Sequence, residues 1–167
     1  MKKLIVIVGP NGTGKTTTCE CLLPLLGRAA QVDGDWCRAV YPPELTEETL
    51  RLNEENVFCM IRNALRCPGI DSVVFSYGYH GHRKALLERV IERLCADGLE
   101  FQVKTVLVTC SEEENVRRMI RDGRDEERIR RAVQKHRVVY EDLDLPTVDS
   151  THLTPEQTAQ AVFDISL

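Results

Sequence analysis

The chain has 167 residues, 43% of them hydrophobic, the size of one domain able to bury a core without covalent staples. Its formal charge of −4 leaves no overall positive field of the kind that concentrates a protein on nucleic acid or anionic lipid, so nucleic acid is a disfavoured partner. No stretch approaches the roughly 20 apolar residues that span a bilayer, and the seven cysteines include no C-x-x-C pair, which predicts reduced, structural thiols in a cytoplasmic protein rather than a disulfide frame or zinc site.

The opening MKKLIVIVG joins two lysines to an apolar run too short for a secretory leader. It leads straight into a glycine-rich loop and reads as a buried strand. A helix follows from about Gly14, then a strand at AAQVDGD, helical periodicity through TEETLRLNEENVFCMIRNAL, and a strand at SVVFSYG. Next come an amphipathic helix over HRKALLERVIERLCADG, ended by Asp97-Gly98, and a strand at EFQVKTVLVTC. A charged helical stretch from Ser111 to about Tyr140, a short strand at PTVDS and a helix after Thr154 complete the chain. Ser111 ahead of Glu112, Glu113 and Glu114, and Thr154 ahead of Pro155 and Glu156, are helix starts. This β-α order implies a parallel sheet covered on both faces, and with no repeat or linker, residues 1–167 are expected to form a single domain.

The loop GPNGTGKTTT carries Gly9, Gly14, Lys15 and Thr16 at the spacing G-x-x-x-x-G-K-[ST], between a strand and a helix start. Glycines let consecutive N–H groups curl toward one anion, and the helix N-terminus adds partial positive charge. Gly9, Asn11, Gly12, Thr13 and Gly14 are therefore expected to cradle a polyphosphate. Lys15 is expected to reach the β/γ-phosphates and the Thr16 hydroxyl to sit on Mg²⁺. Thr17 either adds a hydroxyl to the α-phosphate or is a helix-surface residue.

Asp33 and Asp35 in VDGDWCR stand at alternate positions. If the strand persists through both, they point together at the carboxyl edge of the sheet, able to hold Mg²⁺ through water and accept the proton of an attacking hydroxyl. Otherwise Asp-Gly is a turn and Asp35 caps a following helix. Arg38 either binds an anionic part of a second substrate or pairs with Asp35, and Trp36 reads as core or pocket wall. At the end of the third strand, SYGYHGHR gathers Ser76, Tyr77, Tyr79, His80, His82 and Arg83, either facing a pocket or forming a helix cap in a partly exposed loop. His80 and His82, two apart on a turn, have poor geometry for metal.

Together the GPNGTGKT loop, the D-x-D pair followed by Arg38, and the arginine-rich stretch near the C-terminus resemble P-loop kinases of the nucleoside-monophosphate-kinase and shikimate-kinase type, which include antibiotic phosphotransferases. The resemblance implies an α/β, three-layer P-loop NTPase fold: a five-stranded parallel sheet of order 2-3-1-4-5, an acceptor-binding helical region at about 36–66, and a helical lid at about 117–137. It implies ATP and Mg²⁺ as cofactors, the metal on Thr16 and Asp33, and transfer of the γ-phosphoryl group to a small-molecule or nucleotide acceptor. Asp35 becomes base or acceptor anchor, with Arg38, Tyr77 and His80 also on the acceptor side. Arg117 or Arg118, with Arg121, Arg124 and Arg131, become lid arginines that meet phosphate on closure; the other reading is a solvated face of i,i+4 ion pairs. Val148 to Thr151 falls where such kinases hold adenine with backbone groups.

The sequence departs from the pattern in several places. Neither the third strand nor VLVTCS ends in the Asp that many P-loop NTPases use for magnesium. The shikimate-type glycine triplet, its G-E-x-x-F-R signature and the R-x-x-x-x-G monophosphate clamp are absent, which leaves the acceptor open. No N/T-K-x-D string occurs, which disfavours a GTPase switch. A nucleotide-dependent regulatory switch with slow hydrolysis stays open as an alternative, as does a polynucleotide 5′-hydroxyl kinase, against which the acidic balance counts.

Overall fold

Leu4, Val6 and Val8 alternate with Ile5 and Ile7 along β1 (Lys2–Val8), and both sets are fully buried. A strand with two buried faces belongs inside a sheet that helices cover on both sides. The computed structural model, which describes residues 1–167 apart from the side chain of His136, places β1 at the centre of the sheet. The other strands are β2 (Ala29–Asp33), β3 (Ser72–Tyr77), β4 (Phe101–Thr109) and β5 (Thr147–Asp149). They lie in the order β2-β3-β1-β4-β5, and every neighbouring pair is parallel.

The period of two along β1 divides the core. Leu4, Val6 and Val8 face α3 (Glu47–Arg66) and α4 (His82–Ala96), where Val57, Ile61, Leu86 and Val90 close the layer. Ile5 and Ile7 face α1 (Lys15–Leu26) and α7 (Pro155–Ser166) through Cys19, Leu22, Ala159 and Val162. Each of these aliphatic side chains contributes about 1.5–3 kcal/mol by leaving water.

Helix ends carry their own chemistry. α3 and α7 open on reciprocal capping boxes, Thr46 with Thr49 and Thr154 with Gln157, and Pro155 occupies the first turn of α7. Ser111 caps α5 (Glu112–Arg121) by accepting from the Glu114 N–H, with three glutamates in the first turn. The charged helical stretch expected up to Tyr140 is broken into shorter pieces. α5 stops at Asp122-Gly123, where Gly123 takes a left-handed φ of 70°, and Asp125 caps a separate α6 (Glu126–Arg131). A π-helical turn (Ala132–His136) and a 3₁₀ turn (Val138–Tyr140) follow. Helical periodicity continues through 111–140, but a residue free to enter the left-handed region ends α5, and a strong cap restarts the chain on a new axis. A short α2 (Gly34–Cys37) follows β2 directly.

All seven cysteines are free thiols. Burial pushes the Cys19 thiol far up and that of Cys37 to about 11, so both stay protonated and act as small hydrophobes. Trp36, expected in the core or a pocket wall, is 79% exposed, because α2 turns its outer face to solvent. Among the described residues no helix is long and apolar enough to cross a membrane.

Truncating Ile7 to Ala beneath α1 and α7 is expected to cost about 2–5 kcal/mol, whereas Leu45→Ala, on an exposed loop, stays within about 0.5 kcal/mol. Urea-unfolding midpoints of the two variants check this.

Candidate functional site

Parallel strands bring all their carboxyl ends to one edge, so Val8, Asp33 and Tyr77 end side by side. The loop from Gly9 to Gly14 rises from this edge between β1 and α1. A side chain at Gly9 would run into the Val108 carbonyl, and Gly14 caps α1 at a φ of 91°, where L side chains are strained. No side chain caps the start of α1 and no acidic residue occupies its first turn, so its free N–H groups face the cleft undiluted.

Thr13 is buried and donates its hydroxyl to the Pro10 carbonyl at 3.0 Å, bracing the loop from within. Lys15 folds back to donate to the carbonyls of Gly9 and Pro10 at 2.9 and 2.8 Å. Burial lowers its pKa to about 8; Asp35 opposes the shift, while Arg124 and Arg83 add to it. A lysine held by two neutral carbonyls and starved of water is poised for an anion. Thr16 and Thr17 line the cleft, whereas the Thr18 hydroxyl turns away to the Gly14 carbonyl.

The two aspartates do not share a strand. β2 ends at Asp33 and Gly34 starts α2, because the Asp33 side chain accepts from the backbone N–H groups of Asp35 and Trp36 at 2.7 and 3.3 Å and turns the chain into a helix. Asp33, not Asp35, is the cap. Its other oxygen accepts from the Thr16 and Ser76 hydroxyls at 3.2 and 3.1 Å. Thr16 and Asp33 thus form a pair of hard oxygen donors beside the phosphate-binding loop, the chemistry a divalent cation such as Mg²⁺ requires. Asp35 sits in the first turn of α2 and still lines the cleft, 2.9 Å from Arg38. Burial alone would raise its carboxyl, but Arg38, Arg83 and Lys15 outweigh that and hold it below the ordinary carboxylate range.

Tyr77 is a wall rather than a projecting group: its ring stacks on Phe75 at 4.9 Å, and Arg83 lies over it at 5.7 Å. His80 lines the cleft, with Nδ1 3.4 Å from the Tyr140 hydroxyl, which also accepts from the Tyr79 N–H at 2.7 Å.

The structure separates the candidate arginines. Arg118 reaches inward, donating to the Thr13 carbonyl at 3.1 Å and to the side chain and carbonyl of Ser150 at 3.0 and 2.8 Å, and pairing with Glu114. Arg117, one residue earlier and 100° round the helix, is 78% exposed, pairs with the same glutamate, and does not reach the cleft. Arg121, Arg124 and Arg131 all line it, joined by Arg128, which the sequence reading missed. The spacing 121, 124, 128, 131 is the signal that could have found it, since steps of three and four mark one helical face. Arg128 and Arg131 keep i,i+3 and i,i+4 partners in Asp125 and Glu127, while Arg121 and Arg124 have no ion pair among the described residues. Also unforeseen is Asn115, fully buried on α5, which donates to the Asn11 carbonyl at 2.8 Å and docks the helix against the loop. Val148 to Thr151 meets the site through Ser150 and its hold on Arg118.

These elements enclose a cleft of about 800 Å³ in which eight cationic side chains face three carboxylates. In a chain of net charge −4, that local reversal of sign marks a binding place for a polyanion.

The model of the AAA domain family matches residues 5–139. Among solved structures, a putative kinase from Chloroflexus aurantiacus J-10-fl superposes with a TM-score of 0.68 at 18% identity, covering 98% of this chain and 94% of that one. Shikimate kinase from Acinetobacter baumannii, in complex with shikimate, gives 0.66 at 20% identity over 98% and 92%. The APS kinase of Mycobacterium tuberculosis, in complex with AMPPNP and APS, gives 0.64 at 18% over 98% and 96%. The chain thus shares the fold of these proteins. No curated protein sequence matches.

Arg118→Ala is expected to destabilise the chain by about 1–3 kcal/mol, because the carbonyls of Thr13 and Ser150 lose their shared donor, although Glu114 keeps Arg117. Arg117→Ala, on the solvent side, is expected to change stability by less than about 0.5 kcal/mol. Thermal or urea unfolding of the two single variants reads the difference.

Proposed function

Because this chain belongs to the AAA domain family, we propose that it is an ATP-dependent phosphotransferase that moves the γ-phosphoryl group to a small-molecule acceptor. The observation that carries the reading is the cleft itself: the uncapped start of α1, the Lys15 ammonium and five arginines of the 118–131 segment surround one side, and Asp35, Arg38 and His80 line the other. A nucleotide switch needs only the first half. The superpositions on kinases support the same reading at the level of fold.

In this reading the N–H groups of residues 11–16 and Lys15 bind the β- and γ-phosphates of ATP, and Lys15 exchanges its two carbonyl partners for phosphate oxygens. Thr16 and Asp33 are the residues that would hold Mg²⁺, whose chemistry is to neutralise charge on the phosphate oxygens. Asp35 accepts a hydrogen bond from the acceptor hydroxyl and takes its proton as the new O–P bond forms and the bond to the β-phosphate oxygen breaks. A carboxylate held low by Arg38 is a weak base, but in a loose phosphoryl-transfer transition state the hydroxyl needs orientation more than early deprotonation. Arg121 and Arg124, without carboxylate partners, and Arg128 act as the lid groups that neutralise the transferring phosphoryl and exclude water. Residues 117–137 serve as this lid and 36–66 as the acceptor side.

ADP release from Mg·ATP, screened over nucleosides, monophosphates, sugars and aromatic alcohols, tests the proposal. A productive acceptor should raise turnover well above background, Lys15→Ala should cut it about 100-fold or more, and Asp35→Asn should abolish transfer while ATP still binds. Background turnover across the panel that is indifferent to Asp35 would refute it.

The depressed Lys15 pKa makes a separate prediction. The free ammonium is charged below about pH 8 and is lost above it, whereas bound phosphate holds the proton. ATP affinity should therefore be flat below pH 8 and fall by about tenfold per unit above it. Lys15→Arg, which does not titrate in this range, should flatten the profile in calorimetric titrations.

A further inference from the structure

A second, smaller pocket of about 270 Å³ opens beside the main cleft and shares two residues with it, Arg38 and Arg83. Val40, Leu45 and Leu50 give it an aliphatic lining, and Glu44, Thr49, Asn53 and His82 complete it. The two cavities thus adjoin at a corner bordered by Arg38 and Arg83, whose side chains line both.

Arg83 is the unusual group at that corner. It has no ion pair among the described residues and lies against the Tyr77 ring. Gly78 makes room for it, since any side chain there would strike its guanidinium. Burial and the like charge of Arg38 depress its pKa, so both disfavour the cation that the fold nevertheless keeps there. Arg38 pairs with Asp35 at 2.9 Å, so the two guanidinium groups and that carboxylate together keep a net positive charge. The α4 N-terminus beside it has no side-chain cap and no acidic residue in its first turn.

Asn53 lines the second pocket. It is only 4% exposed, yet its carboxamide oxygen has no hydrogen-bond partner among the described residues. The Tyr77 hydroxyl, also buried, lies within reach of this amide and can supply the donor once the amide is turned, so the pair closes the wall of the pocket.

We propose that the acceptor is an anionic alcohol with an apolar body: its carboxylate or phosphate sits between Arg38 and Arg83, its apolar part fills the pocket of Val40, Leu45 and Leu50, and its hydroxyl faces Asp35. The inference rests on the phosphotransferase reading for the role of that hydroxyl, and on the pocket alone for the recognition. The charge of the corner selects an anion, and the aliphatic wall excludes small hydrophilic anions as complete ligands.

The test measures binding of four probes to the chain saturated with Mg·AMPPNP: phenyllactate, phenyl phosphate, the neutral phenylpropanediol, and inorganic phosphate alone. Calorimetry gives the affinities, and quenching of Trp36, the sole tryptophan, gives a second signal two residues from Arg38. Phenyllactate or phenyl phosphate should bind ~10-fold or more tightly than both the neutral diol and inorganic phosphate, and which of the two wins identifies the anion. Arg83→Met should erase the preference for the anion, Arg83→Lys should restore part of it, and Leu50→Asp should weaken the aryl anions toward inorganic phosphate. Circular dichroism melts establish that each variant is folded. Equal binding of the diol, selectivity that survives Arg83→Met, or no binding by any aryl probe overturns the proposal. ADP release with ATP in place of AMPPNP separates the two readings. Anion-selective binding without turnover upholds the pocket and overturns phosphotransfer, whereas rapid turnover of the neutral diol overturns the pocket and upholds phosphotransfer.

Discussion

Four hydrogen bonds converge on the Asp33 carboxylate: from the Thr16 and Ser76 hydroxyls on one oxygen, and from the backbone N–H groups of Asp35 and Trp36 on the other. These donors belong to α1, β3 and α2, so one side chain fixes the first turn of the phosphate-loop helix, the end of the neighbouring strand and the launch of the helix that carries Asp35 and Arg38. Hydrogen bonds to an ionised acceptor are stronger than neutral ones. The same group that would share a metal with Thr16 therefore also builds the site around it, and a change at Asp33 would disturb architecture and chemistry together.

A second constraint is electrostatic. The cleft concentrates cations in an acidic chain, and those cations are held apart by different devices. Arg118 is spent on structure, tying α5 to the loop and to Ser150. Arg128 and Arg131 are tempered by carboxylates on their own helix. Arg121 and Arg124 flank the break at Asp122-Gly123 and carry no such partner. Repulsion among these like charges would be relieved by a bound anion.

Tyr140 links the far end of that segment to the loop after β3, since its buried hydroxyl accepts from the Tyr79 N–H and meets His80. The loop after β3 and the turn at Val138–Tyr140 therefore share a joint beside the cleft. That joint, the Asp33 hub and the docking of Asn115 under Asn11 all lie between elements distant in sequence.

Much of this was legible in the sequence because it depends on local rules. The period of two in LIVIV, the alternation of strands and helices, the glycines and lysine of GPNGTGKT and the caps at Ser111 and Thr154 each state a backbone preference or a spacing that needs no distant partner, and together they determined the parallel sheet and the phosphate loop. Where the reading failed, competition between local and long-range terms decided. Asp33 and Asp35 fitted either one strand face or an Asp-Gly turn, and capping by Asp33 decided for the turn; Trp36 read as core or pocket wall but ended on the outer side of a four-residue helix; the 111–140 stretch kept its helical period across a break that a left-handed glycine imposed. Which of two adjacent arginines turns inward, that Arg83 lies over Tyr77 with no ion pair among the described residues, and that Arg38 and Arg83 border two cavities were decided only by tertiary structure, because the distance between side chains on different elements is set by packing and leaves no period or motif in the chain.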